Sequence, residues 1–178
     1  RSSPPVRLGA MTQLVLTVVG DDRVGLVRTL ADTVAAHGGN WERSELAELA
    51  GAFAGIVLVD VPADREAGLV EALERLDGLL RITTHQPLAP VVASGQVLRF
   101  TVLGNDRPGI VREVSDAIGA HALSIDALTS RTLDAPMAGG TLFEATLVVR
   151  LPAEFDAAEV VADLERLAGE IQVDLTLA

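Results

Sequence analysis

Short apolar runs alternate with amphipathic stretches along the chain, and the whole pattern occurs twice. Residues 14–19 (LVLTVV) and 97–103 (VLRFTVL) are β-rich runs, and each closes on a glycine. Behind the first, Val27, Leu30, Ala31 and Val34 follow i, i+3, i+4, i+7 spacing. Behind the second, Val111, Val114 and Ile118 line one face, with Arg112, Glu113 and Asp116 on the other. Both patterns predict an amphipathic helix. Two strands are expected next in each half, at about 40–50 with 52–61 and at about 123–132 with 141–151. A second helix follows, carrying Leu69, Leu73 and Leu76 or Val160, Val161, Leu164 and Leu167. A short last strand, near 79–85 and 171–177, closes each half.

The two halves are copies of one unit. GDDRVGLV at 20–27 returns as GNDRPGIV at 104–111, 84 residues on, and His37 returns as His121 at the same displacement. LVDVPAD at 58–64 aligns with VVRLPAE at 148–154, now 90 residues on, which places an insertion in the second copy within 131–140 (RTLDAPMAGG). The order βαββαβ predicts an α+β fold of two ferredoxin-like units. Each is a four-stranded antiparallel sheet with two helices on one face, because the crossovers are right-handed. The other sheet face is left uncovered, so pairing of the units or a homodimer is expected. The expected boundaries are a lead-in or cloning remnant at 1–10, a first unit at 11–86, a linker at 87–95 (PLAPVVASG) and a second unit at 96–178.

Composition narrows the chemistry. Fourteen arginines and no lysine stand against 25 acidic residues, for a net charge of −11. The excess is even: 6 Arg and 12 acids in residues 11–87, 6 Arg and 13 acids in residues 96–178. Such a surface repels nucleic-acid phosphates and anionic lipid heads, so direct nucleic-acid or membrane partners are not expected. No apolar run approaches the ~20 residues of a membrane span, and no basic-then-apolar leader is seen, so a cytoplasmic protein is expected. Without cysteine or lysine there is no thiol nucleophile, thiolate ligand or Schiff-base amine. His85 stands alone near the linker, and neither a metal nor a cofactor is expected.

The loop between the first strand and first helix carries the most chemistry. Asp22 and Asp106 sit where they would cap a helix whose first N–H groups point outward, a place that favours a carboxylate ligand. Gly25 and Gly109 permit close approach, and Pro108 suits the first helical turn. A carboxylate on the N–H groups and an ammonium on an aspartate would together hold a free amino acid. The plainer alternative is that Asp caps, Gly packs and Pro starts the helix, with no ligand. His37 and His121 are expected at helix C-termini, capping carbonyls. Trp41 is expected to pack in a core or interface, and Arg23 and Arg107 to pair with neighbouring aspartates. The carboxylate pairs Asp21–Asp22 and Glu71–Glu74 read as capping and as a solvated helix face, and no Ser-His-Asp or Glu-His arrangement is assignable. A small ferredoxin-fold hydrolase acting on acyl phosphates is disfavoured, because Asp106 would repel the phosphate.

The repeated GDDRVGLV and GNDRPGIV loops resemble the loop of ACT domains, where a D-R-x-G or N-x-P-G turn opens the first helix, and the likeness runs from about Leu14 onward. With the APMAGG insertion the pair is similar to the glycine cleavage system transcriptional repressor group. This resemblance implies a non-catalytic regulator whose amino-acid ligand, glycine or serine, sits at an interface between ACT domains. It implies the residues Asn105, Asp106 and Gly109 with Ser124, and Asp21, Asp22 and Gly25 with Asn40. With an acidic chain and no helix-turn-helix, control of transcription would run through a protein partner such as a transcription factor. A feedback regulatory subunit of an amino-acid biosynthetic enzyme is the alternative.

Overall fold

The first strand, β1 (Met11–Asp21), alternates buried Leu14, Leu16 and Val18 with outward Val15, Thr17 and Val19, the period-2 pattern of a sheet covered on one side. It is followed by α1 (Leu26–Ala36), β2 (Asn40–Leu49), β3 (Ala52–Pro62), α2 (Glu66–Glu74) and β4 (Arg81–His85). The series then repeats as β5 (Gln96–Asn105), α3 (Ile110–Gly119), β6 (Ile125–Asp134), β7 (Thr141–Leu151), α4 (Ala157–Arg166) and β8 (Gln172–Leu177). The computed structural model describes residues 10–87, 96–134, 140–152, 155–166 and 172–177, with the side chains of 164, 165 and 172–177 excepted. The lead-in up to residue 9 and the linker residues 88–95 lie outside the described residues.

The chain divides into two compact units, 1–91 and 92–178. Each is one antiparallel sheet, ordered β2-β3-β1-β4 in the first and β6-β7-β5-β8 in the second. This is the ferredoxin-like arrangement that the order βαββαβ demands. In each unit the two helices touch one another over the same sheet face. The core of the first unit joins Leu14, Leu16 and Val57 to Leu30, Val34, Leu69 and Leu73, and that of the second joins Phe100, Leu147 and Val149 to Val114, Ile118 and Val160. Burying side chains of this size contributes roughly 1.5–3 kcal/mol each. Trp41 is half-buried against the first core. On the other face of the first sheet, Val19 and Ile56 remain 45% and 50% exposed.

The helical stripes follow the sequence reading at Leu30, Val34, Val114 and Ile118 and differ from it in their leading residue. Leu26, Leu30 and Val34 are buried in α1, and Ile110, Val114 and Ile118 in α3. Val27 and Val111, expected in the core, are 45% and 43% exposed. The reason is the helix start: a left-handed glycine stands just before Leu26 and Ile110, so those residues are the first to turn inward.

The β2–β3 connection is two residues, Ala50 and Gly51, both at positive φ (52° and 84°), as a tight hairpin turn requires. Between β6 and β7 the corresponding connection spans 135–140, of which 135–139 lie outside the described residues. The extra residues of the second copy therefore fall inside the 131–140 stretch. The edge strands β2 and β6 also carry a bulge at the same place in the repeat, at Glu42 between Trp41 and Arg43 and at Asp126 between Ile125 and Ala127.

Candidate functional site: the strand-to-helix loops

The loops leaving β1 and β5 are built by backbone rather than by side-chain caps. The N-cap residues of α1 and α3 are Gly25 (φ 94°, ψ 2°) and Gly109 (φ 89°, ψ −3°), with no side-chain cap hydrogen bond. The carbonyls of Gly25 and Gly109 accept the first intrahelical bonds, from Thr29 N–H (2.9 Å) and Glu113 N–H (3.0 Å). In the second unit Ile110 N–H also closes on the Arg107 carbonyl at 3.3 Å. Pro108 and Gly109 are then the two central residues of a turn, and the glycine dihedrals fit the second central position of type II.

Two expectations are corrected here. Asp22 and Asp106 do not cap their helices. Pro108 precedes the cap instead of opening the helix. Glycine's access to positive φ does the work that the sequence reading gave to aspartate.

The aspartates are moored elsewhere. Asp22 N–H donates to Gly51 O and Asp106 N–H donates to Thr141 O, each at 2.8 Å. The loop is thus fastened to the start of the strand that returns beside it. Asp21, Asp22 and Gly25 are solvent-exposed, as are Asn105, Asp106 and Gly109. These residues therefore lie on the surface of their units.

Asn40 and Ser124, the remaining members of the expected set, stand at the opposite end of the sheet. Asp21 pairs across to Ala52 on β3, whereas Asn40 pairs to Asp60, eight residues further along. At about 3.3 Å per residue this is roughly 26 Å. In the second unit Asn105 pairs with Leu142 and Ile125, next to Ser124, with Val149. A single unit therefore does not bring its loop and its β2 or β6 start together.

Two residues beside Asn40 were missed by the sequence reading. The Asn40 amide nitrogen donates to the Glu42 carboxylate in the bulge, and Asp60 Oδ1 is buried without a hydrogen-bond partner among the described residues. The signal was present in the aligned LVDVPAD and VVRLPAE segments, which set Asp60 against Arg150. In the second unit Arg150 donates to Asp126 at 2.8 Å, so there the bulge carboxylate has a guanidinium.

The loop arginines also differ. Arg107 holds Glu113 through both nitrogens, at 2.8 and 2.6 Å. That bidentate bond keeps the Glu113 carboxyl below its usual range, against a smaller opposing effect of desolvation. The bidentate partner of Arg107 is thus an acid of the helix, Glu113. Arg23 lies 3.7 Å from Asp21, as an exposed pair.

The histidines, alike in sequence, are used differently. His37 Nδ1 is 2.9 Å from the Thr33 carbonyl in the last turn of α1, where a C-terminal cap was expected. His121 instead reaches α4, with Nε2 at 2.7 Å from Asp163 Oδ2 and its ring edge-on to Phe155 at 5.7 Å. Away from the loops, an open groove of about 410 Å³ runs beside α2, lined by Ala63, Ala67, Val70 and the carboxylates of Glu66, Glu71 and Glu74. Among the described residues no three His, Cys, Asp or Glu side chains gather as a metal site, and no helix is long and apolar enough to cross a membrane.

Twin βαββαβ units, each with a glycine-capped loop between its first strand and first helix, define a ferredoxin-like protein of the ACT class. Residues 12–86 match the ACT domain family model, and the second unit repeats the same strand order. The first unit is an ACT domain by that match, and the chain as a whole resembles a tandem ACT-domain protein, similar to glycine cleavage system transcriptional repressors. Over 171 residues it is 29% identical to the glycine cleavage system transcriptional repressor of Escherichia coli (strain K12), covering 92% of this chain and 88% of that protein. A solved structure of an unknown protein from Galdieria sulphuraria is 31% identical and superposes with a TM-score of 0.83 over 95% of this chain and 99% of that one. A crystal structure provisionally described as a glycine cleavage system transcriptional repressor shares the fold, with a TM-score of 0.68 at 15% identity over 94% of this chain and 99% of the other.

Proposed function

We propose that this chain is a non-catalytic, cytoplasmic, amino-acid-binding regulator that acts on transcription through a protein partner. Glycine or serine is the ligand and a homodimer is the working form. The observation that carries this reading is the pair of exposed loops, in which an aspartate stands three residues before a left-handed glycine that opens a helix. A helix start favours a ligand carboxylate, and Asp22 or Asp106 offers a charge for its ammonium. Asn40 or Ser124 would complete such a site from a second copy of the chain in the homodimer, because its own loop is too far away. The likeness to a transcriptional repressor over nearly the whole chain supports the regulatory role. The net charge of −11 supports action through a protein rather than on DNA.

Ligand binding would shift the balance between two states of the regulator in proportion to its differential affinity for them. A thermal-shift screen against the free amino acids tests the reading. A ligand at about 100 times its dissociation constant adds roughly 2.7 kcal/mol of stability. Selective stabilisation by glycine or serine, weakened in Asp22→Ala or Asp106→Ala, is the expected result. No shift with any amino acid would defeat it.

A further inference from the structure

Although the two units share a fold, they differ in which charges are already satisfied. We infer that the first unit alone takes the amino acid, its carboxylate received by Arg23, while the second unit is closed by the Arg107–Glu113 clamp. This inference rests on the function proposed above and assigns it to one copy.

At the loop, the decisive position is the fourth residue of the helix. Glu113 stands there in α3 and Thr29 in α1, at the same place in the repeat. In the second unit both guanidinium nitrogens of Arg107 are spent on Glu113, whose side chain is 30% exposed. A ligand carboxylate would have to displace this bidentate partner while meeting a carboxylate already seated in the first helical turn. The same bond favours the ionised form of Glu113, holding its carboxyl below the usual range. The first turn of α1 carries no acid, and among the described residues Arg23 has a loose contact with Asp21, 3.7 Å away with the two side chains 59% and 87% exposed. Exposed pairs of that kind exchange readily for a better ligand.

The β2 and β6 starts repeat the asymmetry independently. Arg150 neutralises Asp126 in the second unit. In the first, the position of Arg150 is held by Asp60, whose buried Oδ1 has no partner among the described residues, beside Asn40 and Glu42. At both places the second unit pairs an acid with an arginine, whereas the first leaves Arg23 loosely held and Asp60 Oδ1 without a hydrogen-bond partner among the described residues.

Calorimetric titration of the full-length chain with glycine and with L-serine tests the assignment. The expected stoichiometry is one ligand per chain. Thr29→Glu installs the clamp in the first unit and should weaken binding about tenfold or more, as should Arg23→Gln, an exposed change that leaves folding intact. Glu113→Thr and Arg107→Gln should leave the affinity of that site within about twofold. Two equivalent sites per chain, or equal losses from Arg23→Gln and Arg107→Gln, or full affinity in Arg23→Gln, would overturn the assignment while leaving the regulator reading intact. Absence of binding by the wild-type chain to any free amino acid would overturn the regulator reading itself.

Discussion

His121 joins the C-terminal end of α3 to α4 through Asp163, 2.7 Å from Nε2 to Oδ2. The bond spans 42 residues of sequence and fastens two helices that otherwise meet through apolar contacts. Its counterpart in the first unit is local, from His37 to Thr33 within one helix turn.

The first prediction concerns acid. The hydrogen bond from His121, with Arg166 adding to it and burial opposing it, holds the Asp163 carboxyl below its ordinary 3.8. A depressed folded pKa means a contribution present in full above the unfolded value and lost as pH falls through the folded one. Wild type should therefore be more stable than Asp163→Asn at neutral pH, and the two should converge below about pH 4. Thermal melts from pH 7 to pH 2 would show it. A gap that persists in acid would contradict this linkage.

A second prediction isolates backbone strain. Gly25 has φ +94° and nothing within 4 Å of a built Cβ, so Gly25→Ala meets no clash. Its whole cost is the left-handed backbone, roughly 1–2 kcal/mol. Urea denaturation that shows no loss would mean the loop can relax to another conformation.

Gly55 presents the opposite case. Its φ is ordinary, yet a Cβ there would run into the Glu45 carbonyl and the Leu46 backbone of β2. Gly55→Ala must push the edge strand away, at a cost of about 1–3 kcal/mol. Amide exchange should rise along β2 and not along β4, and a uniform change across the sheet would argue against local overlap.

The helix stripe can be checked by two truncations. Leu30 is fully buried, and Leu30→Ala should cost about 2–5 kcal/mol. Val27, which periodicity assigned to the core, is 45% exposed, so Val27→Ala should stay within about 0.5 kcal/mol. Equal losses would place the stripe where the sequence reading put it.

These contrasts mark what the sequence could and could not reveal. The repeat, the βαββαβ order and the extra residues after β6 were legible because apolar periodicity and internal alignment report elements directly. The cap was misread because aspartate before a helix is a common signal, whereas the αL glycine acts through φ, which composition does not display. The split roles of His37 and His121 depend on Asp163 in another helix, beyond any local window. Asp60 lay in plain sight opposite Arg150 in the aligned repeats. Its orphaned oxygen, though, is a matter of neighbours, and only the folded unit supplies those.

The bond from Asp22 N–H to Gly51 O ties the loop to the hairpin turn rather than to α1. Loop and hairpin are thus one mechanical piece, and the hairpin leads straight into β2, an outer strand of the sheet. A ligand that tightens the loop would tug on a rim where another chain can add a strand. Occupancy at one end of the unit would in this way be converted into a change in the stickiness of its border.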